Sequence, residues 1–205
     1  MSDAPRDNLR SPAAWARFLV PAVLGVALDL WTKHLADQHL SAAQESVHFI
    51  PGWLHWTYTT NHGAVFGSGQ GLRWLFVGVS ALAIGFLFYL FVTSGRQRVY
   101  QVLVGILMAG VLGNLYDRLR YGYVRDMIHA LPGWKWPGWV IRSLPDSWQW
   151  TRQDVFPWIF NVADTLLCVG VFLMIVYSLV HRPEPSDDAA APRASTNDQV
   201  PMPNK

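Results

Sequence analysis

Four long apolar stretches divide this chain. Residues 15–36, 72–92, 99–119 and 159–180 are apolar almost throughout. Each comes near the roughly 20 residues that a helix needs to cross a hydrocarbon layer of about 30 Å. Their number predicts four membrane-spanning helices with both termini on one side. The first stretch is longer than the roughly 7–15 residues of a signal-peptide core. It also lacks a clear small-residue cleavage site and carries Asp29 and Lys33 near its far end, so it reads as a retained helix. Between the first and second stretches the period changes. Leu54, Trp56 and Tyr58 alternate with His55, Thr57 and Thr59, the pattern of a strand with one buried face. Pro51-Gly52 supplies a turn before it, and Gly63, Gly67, Gly69 and Gly71 break it afterwards.

The expected fold is an all-α polytopic membrane protein. It is a bundle of four transmembrane helices with a small extracytoplasmic β-sheet and an interfacial segment. That segment is 131–158, which holds Trp134, Trp136, Trp139, Trp148, Trp150 and Trp158, six of the eleven tryptophans. Tryptophan concentrates at headgroup level, where its ring and its N–H both find partners. Pro132, Pro137, Pro145 and Pro157 argue against one continuous helix there. The domain is expected over 14–180, between polar, disordered tails at 1–13 and 181–205.

Polar residues interrupt the apolar runs at a few places only. Asp164 follows Asn161 by three positions, and Asp117 follows Asn114 likewise, which puts each pair on one face if both members are helical. Asp126 lies just beyond the third run. Carboxylates at membrane depth are costly and mark functional sites by default, and two brought together suggest a pair sharing one proton. The competing reading is a hydrogen-bonded network that holds helices together. Asp29 and Lys33, four apart, are expected to form an intrahelical ion pair with Lys33 snorkelling to the interface. The stretch Asn61-His62-Gly63-Ala64-Val65-Phe66-Gly67 fits a turn, or a backbone that a bound peptide approaches closely.

Composition narrows the class further. Half the residues are hydrophobic and 15% are charged, well below the roughly 25% of a soluble domain. A net charge of +2 without a basic aromatic patch gives no reason to expect nucleic acid. Cys168 is the only cysteine, so no internal disulfide is possible; it reads as a small apolar residue of the fourth run. Arg6, Arg10, Arg17, Arg96, Arg98 and Arg182 favour cytoplasmic termini. Against that, the third loop carries Arg118, Arg120, Arg125, Lys135, Arg142 and Arg152, some of which would serve structure or lipid contact. The seven histidines include no H-E-x-x-H, and Ser68 lacks the context of a serine nucleophile.

Four segments, in order, resemble the lipoprotein signal peptidase family (signal peptidase II). Asp29 with Lys33 is similar to the D-x-x-x-K of its first helix. Asn61-His62-Gly63-Ala64-Val65-Phe66-Gly67 resembles N-x-G-A-x-F-G. Residues Gly113, Asn114, Asp117, Arg118, Gly122, Val124 and Asp126 resemble G-N-x-x-D-R-x-x-x-G-x-V-x-D. Phe160-Asn161-Val162-Ala163-Asp164 resembles F-N-x-A-D. The resemblance spans about 28–177. Met127 stands where the family usually has Phe, and the interval from Asp126 to Asn161 is longer than usual, the extra length being the Trp-rich stretch.

The resemblance implies an aspartic endopeptidase that removes the signal peptide of diacylglyceryl-modified prolipoproteins by cutting before the lipidated cysteine. Asp126 and Asp164 would be the catalytic pair. Asn114, Asp117, Arg118 and Asn161 would shape the site, Asn61 and Gly63 would meet substrate or brace it, and Asp29 and Lys33 would support helix ends. It further implies no metal or organic cofactor, contact with membrane lipid, and a multi-pass protein of the bacterial cytoplasmic (inner) membrane. The termini would be cytoplasmic and the site near the extracytoplasmic face; we expect a monomer. Two rivals remain: a proton-coupled transporter with Asp29, Asp117 and Asp164 as a relay, and a non-catalytic assembly factor.

Overall fold

Backbone N–H and C=O groups have no water to bond in hydrocarbon, so each apolar run closes its hydrogen bonds internally as a helix. In the computed structural model, which describes residues 7–41, 46–63, 71–143 and 154–181, four helices are long and apolar enough to cross a membrane. They are α1 (Pro12–Leu40), α2 (Arg73–Thr93), α3 (Arg98–Arg120) and α5 (Val162–Val180); a short α4 (Gly138–Ser143) lies between α3 and α5. The four spans match the expected runs to within a few residues.

Helix α3 is the middle of the bundle. Just over half of its apolar window is buried (56%), against 11% for α2 and for α5, and α1, α2 and α5 all pack on it. The close approaches are built on small residues, as in membrane bundles generally. A Cβ on Gly105 would sit 2.3 Å from the backbone oxygen of Phe18 in α1, and one on Gly113 would sit 2.3 Å from the Asp29 carboxylate. Trp15, Phe18, Leu87, Phe91, Val104 and Met108 fill the apolar core at the other end of the bundle.

The sheet is antiparallel with strand order β1 (Val47–Ile50), β2 (Leu54–Asn61), β3 (Val124–Ala130), β4 (Ile159–Phe160). It rests on the C-terminal end of α1, where Ala36 and Leu40 are buried with Met127 and meet Trp56, Tyr58 and Ile128. The expected single buried face of β2 is not found. Seven of its eight residues are half-buried and only Thr60 is exposed, because β2 is an inner strand with a bulge between Trp56 and Thr59.

Two sequence expectations need correction. The fourth span begins at Val162 rather than 159, since Ile159 and Phe160 pair with His129 and Ile128 as a strand. The disordered 1–13 is too long a tail: Asp7–Arg10 forms a 3-10 turn. Asn8 is buried there, its Nδ2 donating to the Phe91 carbonyl (3.0 Å) and Ser94 Oγ (3.0 Å), while Gln101 Nε2 donates to its Oδ1 (3.2 Å). As the prolines predict, the described part of the Trp-rich stretch has no continuous helix: it holds a bridge between Lys135 and Asp154 and the one-and-a-half-turn α4. Residues 144–153 lie outside the described residues, as do 64–70 and the tail from 182.

Gly105→Ala tests the packing. A methyl group there meets backbone that cannot swing aside, so the variant should lose about 1–3 kcal/mol of stability, the usual cost of overpacking. Gly78→Ala, with open space around its Cβ, should leave thermal unfolding in detergent unchanged.

Candidate active site

The polar residues that interrupt the apolar runs meet at the end of the bundle where α1 and α3 finish, α2 and α5 begin and the sheet packs. Asp29, Lys33, Asn61, Gly63, Asn114, Asp117, Arg118, Asp126, Asn161 and Asp164 are all among the described residues, and hydrogen bonds or ion pairs connect all ten. Only the Ala64–Gly67 part of the Asn61 stretch falls outside the described residues.

The deepest layer is ionic. Lys33 is 0% exposed and does not snorkel. Its Nζ donates to Asp29 Oδ2 (2.7 Å) and Asn114 Oδ1 (3.0 Å) and lies 3.6 Å from Asp117 Oδ2. The intrahelical pair exists as expected, but it points into the protein, because α3 offers Lys33 a second carboxylate and an amide oxygen. Asp29 and Asp117 are equally buried, and each reaches a further element. Asp29 Oδ1 accepts the backbone N–H of Ala163 in the first turn of α5 (2.8 Å). Asp117 accepts from Arg125 in β3 three times: from its backbone N–H (2.9 Å), Nε (3.2 Å) and Nη2 (2.7 Å). Two ammonium or guanidinium charges thus face two carboxylates, which is what buried charge requires.

Arg125 was given no role from the sequence. The signal was available: an arginine inside a short apolar strand, one residue before a candidate aspartate, needs a buried carboxylate partner. Only the three-dimensional neighbour, Asp117, reveals which one.

Above the ionic layer lies a chain of carboxamides. Asn161 Nδ2 donates to Asp126 Oδ1 (2.7 Å) and to Asn114 Oδ1 (3.1 Å), and Asn114 Nδ2 donates to Asp164 Oδ1 (2.8 Å). The two asparagines therefore connect the two aspartates. Asn161 and Asp164 also form a capping box: Asn161 Oδ1 accepts the Asp164 N–H (3.0 Å), and Asp164 Oδ2 accepts the Asn161 N–H (3.2 Å). This revises the same-face reading, since Asn161 is extended (φ −128°, ψ −179°) and caps α5 from outside it. Asp126, likewise, is not at a helix end but in the middle of β3, opposite Thr59 of β2.

From the sheet side, Asn61 Nδ2 donates to Asp126 Oδ2 (3.2 Å), and Asn61 Oδ1 accepts the Gly63 N–H (3.0 Å). Arg118 reaches from α3 to the carbonyls of Gly63 and Asn114, both at 3.4 Å. The surroundings of the two aspartates differ. Asp126 is 2% exposed, whereas Asp164 is half-buried. Burial, helped by the nearby Asp164 charge, pushes the Asp126 carboxyl up to about 7 from its ordinary 3.8, against the hydrogen bonds from Asn161 and Asn61 and the Lys33 charge. Asp164 accepts two N–H donors at the N-terminus of α5, where the helix dipole favours a negative charge. One carboxyl set to hold a proton thus lies beside a second that accepts two N–H donors, the parts a general acid and a general base require.

Among the described residues the site carboxylates gather at one end of the bundle, and nothing there favours the relay of a transporter. No group of three His, Cys, Asp or Glu that could hold a metal ion occurs among the described residues.

Comparison with known proteins gives a consistent result. The family model described as signal peptidase (SPase) II matches residues 21–180. Lipoprotein signal peptidases of Streptococcus pyogenes serotypes M6 and M5 are each 34% identical over 160 residues, covering 78% of this chain and 90% of theirs. Two solved structures, both described as a bacterial membrane enzyme, have TM-scores of 0.63. One, at 2.3 Å resolution, is 26% identical and covers 87% of this chain and 93% of its own. The other, at 1.9 Å, is 28% identical and covers 80% and 92%.

Lys33→Met should separate the ionic layer from the chemistry above it. Removing the ammonium leaves Asp29 and Asp117 with one cation between them, which costs about 3–5 kcal/mol when the pair is buried. Denaturation in micelles should show that loss; an unchanged midpoint would mean that the ionic layer does not hold the bundle.

Proposed function

The chain belongs to the signal peptidase II family, a bacterial multi-pass membrane peptidase, and on that premise we propose that it removes signal peptides from prolipoproteins by an aspartic mechanism with Asp126 and Asp164 as its two carboxyls. The observation that carries this reading is the Asn161–Asn114 amide chain joining one carboxyl pushed up to about 7 to another seated at a helix N-terminus.

Asp126 starts protonated, and Asp164 acts as the base. Asp164 takes a proton from a water molecule as its oxygen bonds to the scissile carbonyl carbon. Asp126 gives its proton to the carbonyl oxygen, so no full negative charge builds up in a site of low polarity. The tetrahedral diol then collapses. The C–N bond breaks, Asp164 returns its proton to the leaving amine, and Asp126 recovers one from the diol hydroxyl. Proton and charge balance over the cycle, and both carboxyls end as they began. Asn161 and Asn61 hold Asp126 through both of its oxygens, while Asn114 holds Asp164. Arg118 and the Gly63 carbonyl sit beside this chain, where a peptide backbone would pass.

The scissile bond precedes a diacylglyceryl-modified cysteine, whose acyl chains remain in the membrane while the peptide bond reaches the sheet end. That end is extracytoplasmic, the termini are cytoplasmic, and a single chain carries every group used, so a monomer suffices. No step calls for a metal, an organic cofactor or nucleic acid.

The test is a gel-mobility assay in detergent with a diacylglyceryl-modified prolipoprotein. Asp126→Asn and Asp164→Asn should each lower cleavage by about 10³-fold or more while the circular dichroism of the protein stays as in wild type. Turnover by either folded variant within about tenfold of wild type would remove the assignment.

A further inference from the structure

The cations at the sheet end divide into those that are neutralised and those that are not. Lys33 and Arg125 hold Asp29 and Asp117, and Lys135 holds Asp154, whereas Arg118 feels the charges of Asp164 and Asp126 without a carboxylate oxygen of the described residues within 4 Å and donates to the Gly63 carbonyl. Arg73 and Arg120, like Arg142 on α4, also have no carboxylate oxygen within 4 Å among the described residues.

These two arginines meet at one corner. Arg73 is the first residue of α2, and its Nη2 donates to the carbonyl of Leu119, the neighbour of Arg120 at the end of α3 (2.8 Å). The Arg73 guanidinium lies over the Trp74 ring (5.1 Å) and against Gly122, and its Nε is buried without a hydrogen-bond partner. Arg120 is exposed, its guanidinium over the Tyr121 ring (5.6 Å), and the other side of that corner is held by Arg125 over the same ring (4.4 Å). Trp74, Tyr116, Leu119 and Tyr121 are all exposed around the pair. Exposed Trp and Tyr at the ends of two membrane-spanning helices mark headgroup level. Guanidinium groups match phosphate geometry with paired N–H donors and are more weakly hydrated than ammonium.

We infer that Arg73 and Arg120 form a binding site for the phosphodiester headgroup of an anionic membrane phospholipid at the α2–α3 corner. The lipid phosphate supplies the negative charge that the protein withholds there, and its acyl chains run down the exposed apolar faces of α2 and α3. The site borders Gly122, which leads directly into the strand bearing Asp126. It is nevertheless separate from the peptidase chemistry: neither arginine touches Asp126 or Asp164, so its standing is independent of the catalytic reading.

The experiment uses the full chain, delipidated in neutral detergent and titrated with phosphatidylglycerol or with phosphatidylcholine of the same acyl chains, bound lipid being counted by native mass spectrometry. Wild type should retain phosphatidylglycerol about tenfold or more over phosphatidylcholine, as expected for two arginines at a lipid surface. The double variant Arg73→Gln with Arg120→Gln should lose that preference, Arg73→Lys with Arg120→Lys should keep part of it, and Arg142→Gln, at an exposed arginine on α4, should keep all of it. Equal retention of the two lipids by wild type overturns the site, whatever the variants do. So does an Arg142→Gln loss as large as that of the double variant, which would mean general surface charge. Displacement of the lipid by millimolar inorganic phosphate, with no chain dependence, would assign the corner to free phosphate instead.

Discussion

Lys33 is an ammonium group with no exposed surface at the end of a membrane-spanning helix, and the rest of the site depends on what surrounds it. Desolvating such a charge is costly unless carboxylates and further hydrogen bonds surround it. Here Asp29, Asp117 and Asn114 do so, and the two carboxylates pass the constraint outward. Asp29 fixes the first turn of α5 through the Ala163 N–H, and Asp117 fixes β3 through three bonds from Arg125. Four elements, α1, α3, β3 and α5, are thereby held by one neutral cluster of two cations and two anions. Asp126 is the residue after Arg125, and Asp164 is the residue after Ala163. The positions of the two site carboxyls are therefore set by their immediate neighbours' bonds to the same ion cluster.

That arrangement explains how two like-charged groups can be kept near each other without repelling the fold apart. The asparagines are donors at the points where the carboxyls need them: Asn161 toward Asp126 and Asn114 toward Asp164. The asymmetry comes from location. Asp126 sits in a buried strand bonded by Asn61 and Asn161, whereas Asp164 is half-buried in the first turn of α5. Burial raises the proton affinity of Asp126 beside a second carboxyl that accepts the Asn114 amide and the Asn161 N–H, a setting suited to acid and base roles in one reaction.

Much of this was legible in the chain. Apolar length alone located the four spans, because a hydrocarbon layer permits few other solutions for the backbone. The polar interruptions identified Asn114, Asp117, Asn161 and Asp164 because such groups are costly at membrane depth. What pattern could not supply was context between elements. Lys33 near a helix end reads as a snorkelling residue unless one knows that Asp117 and Asn114 face it. Ile159 and Phe160 continue an apolar run by composition, and only their pairing with β3 makes them a strand that turns Asn161 into a cap. Arg125 was passed over because its partner is eight residues away on another element. The strand that carries Asp126 is too short to announce itself beside a long helix, so its aspartate looked like a helix-end residue.

The most direct test of the account is the pH dependence of cleavage at substrate concentrations below KM, where the profile reports the free enzyme. Asp126 must be protonated to act, and its affinity for that proton is raised to about 7. The proton is held below that value and lost above it, so the rate should fall by about tenfold for each pH unit above roughly 7. A rate that stays level or rises between pH 7 and 9, in protein that remains folded, would contradict the assignment of the proton to Asp126 and with it the paired-aspartate chemistry proposed for this site.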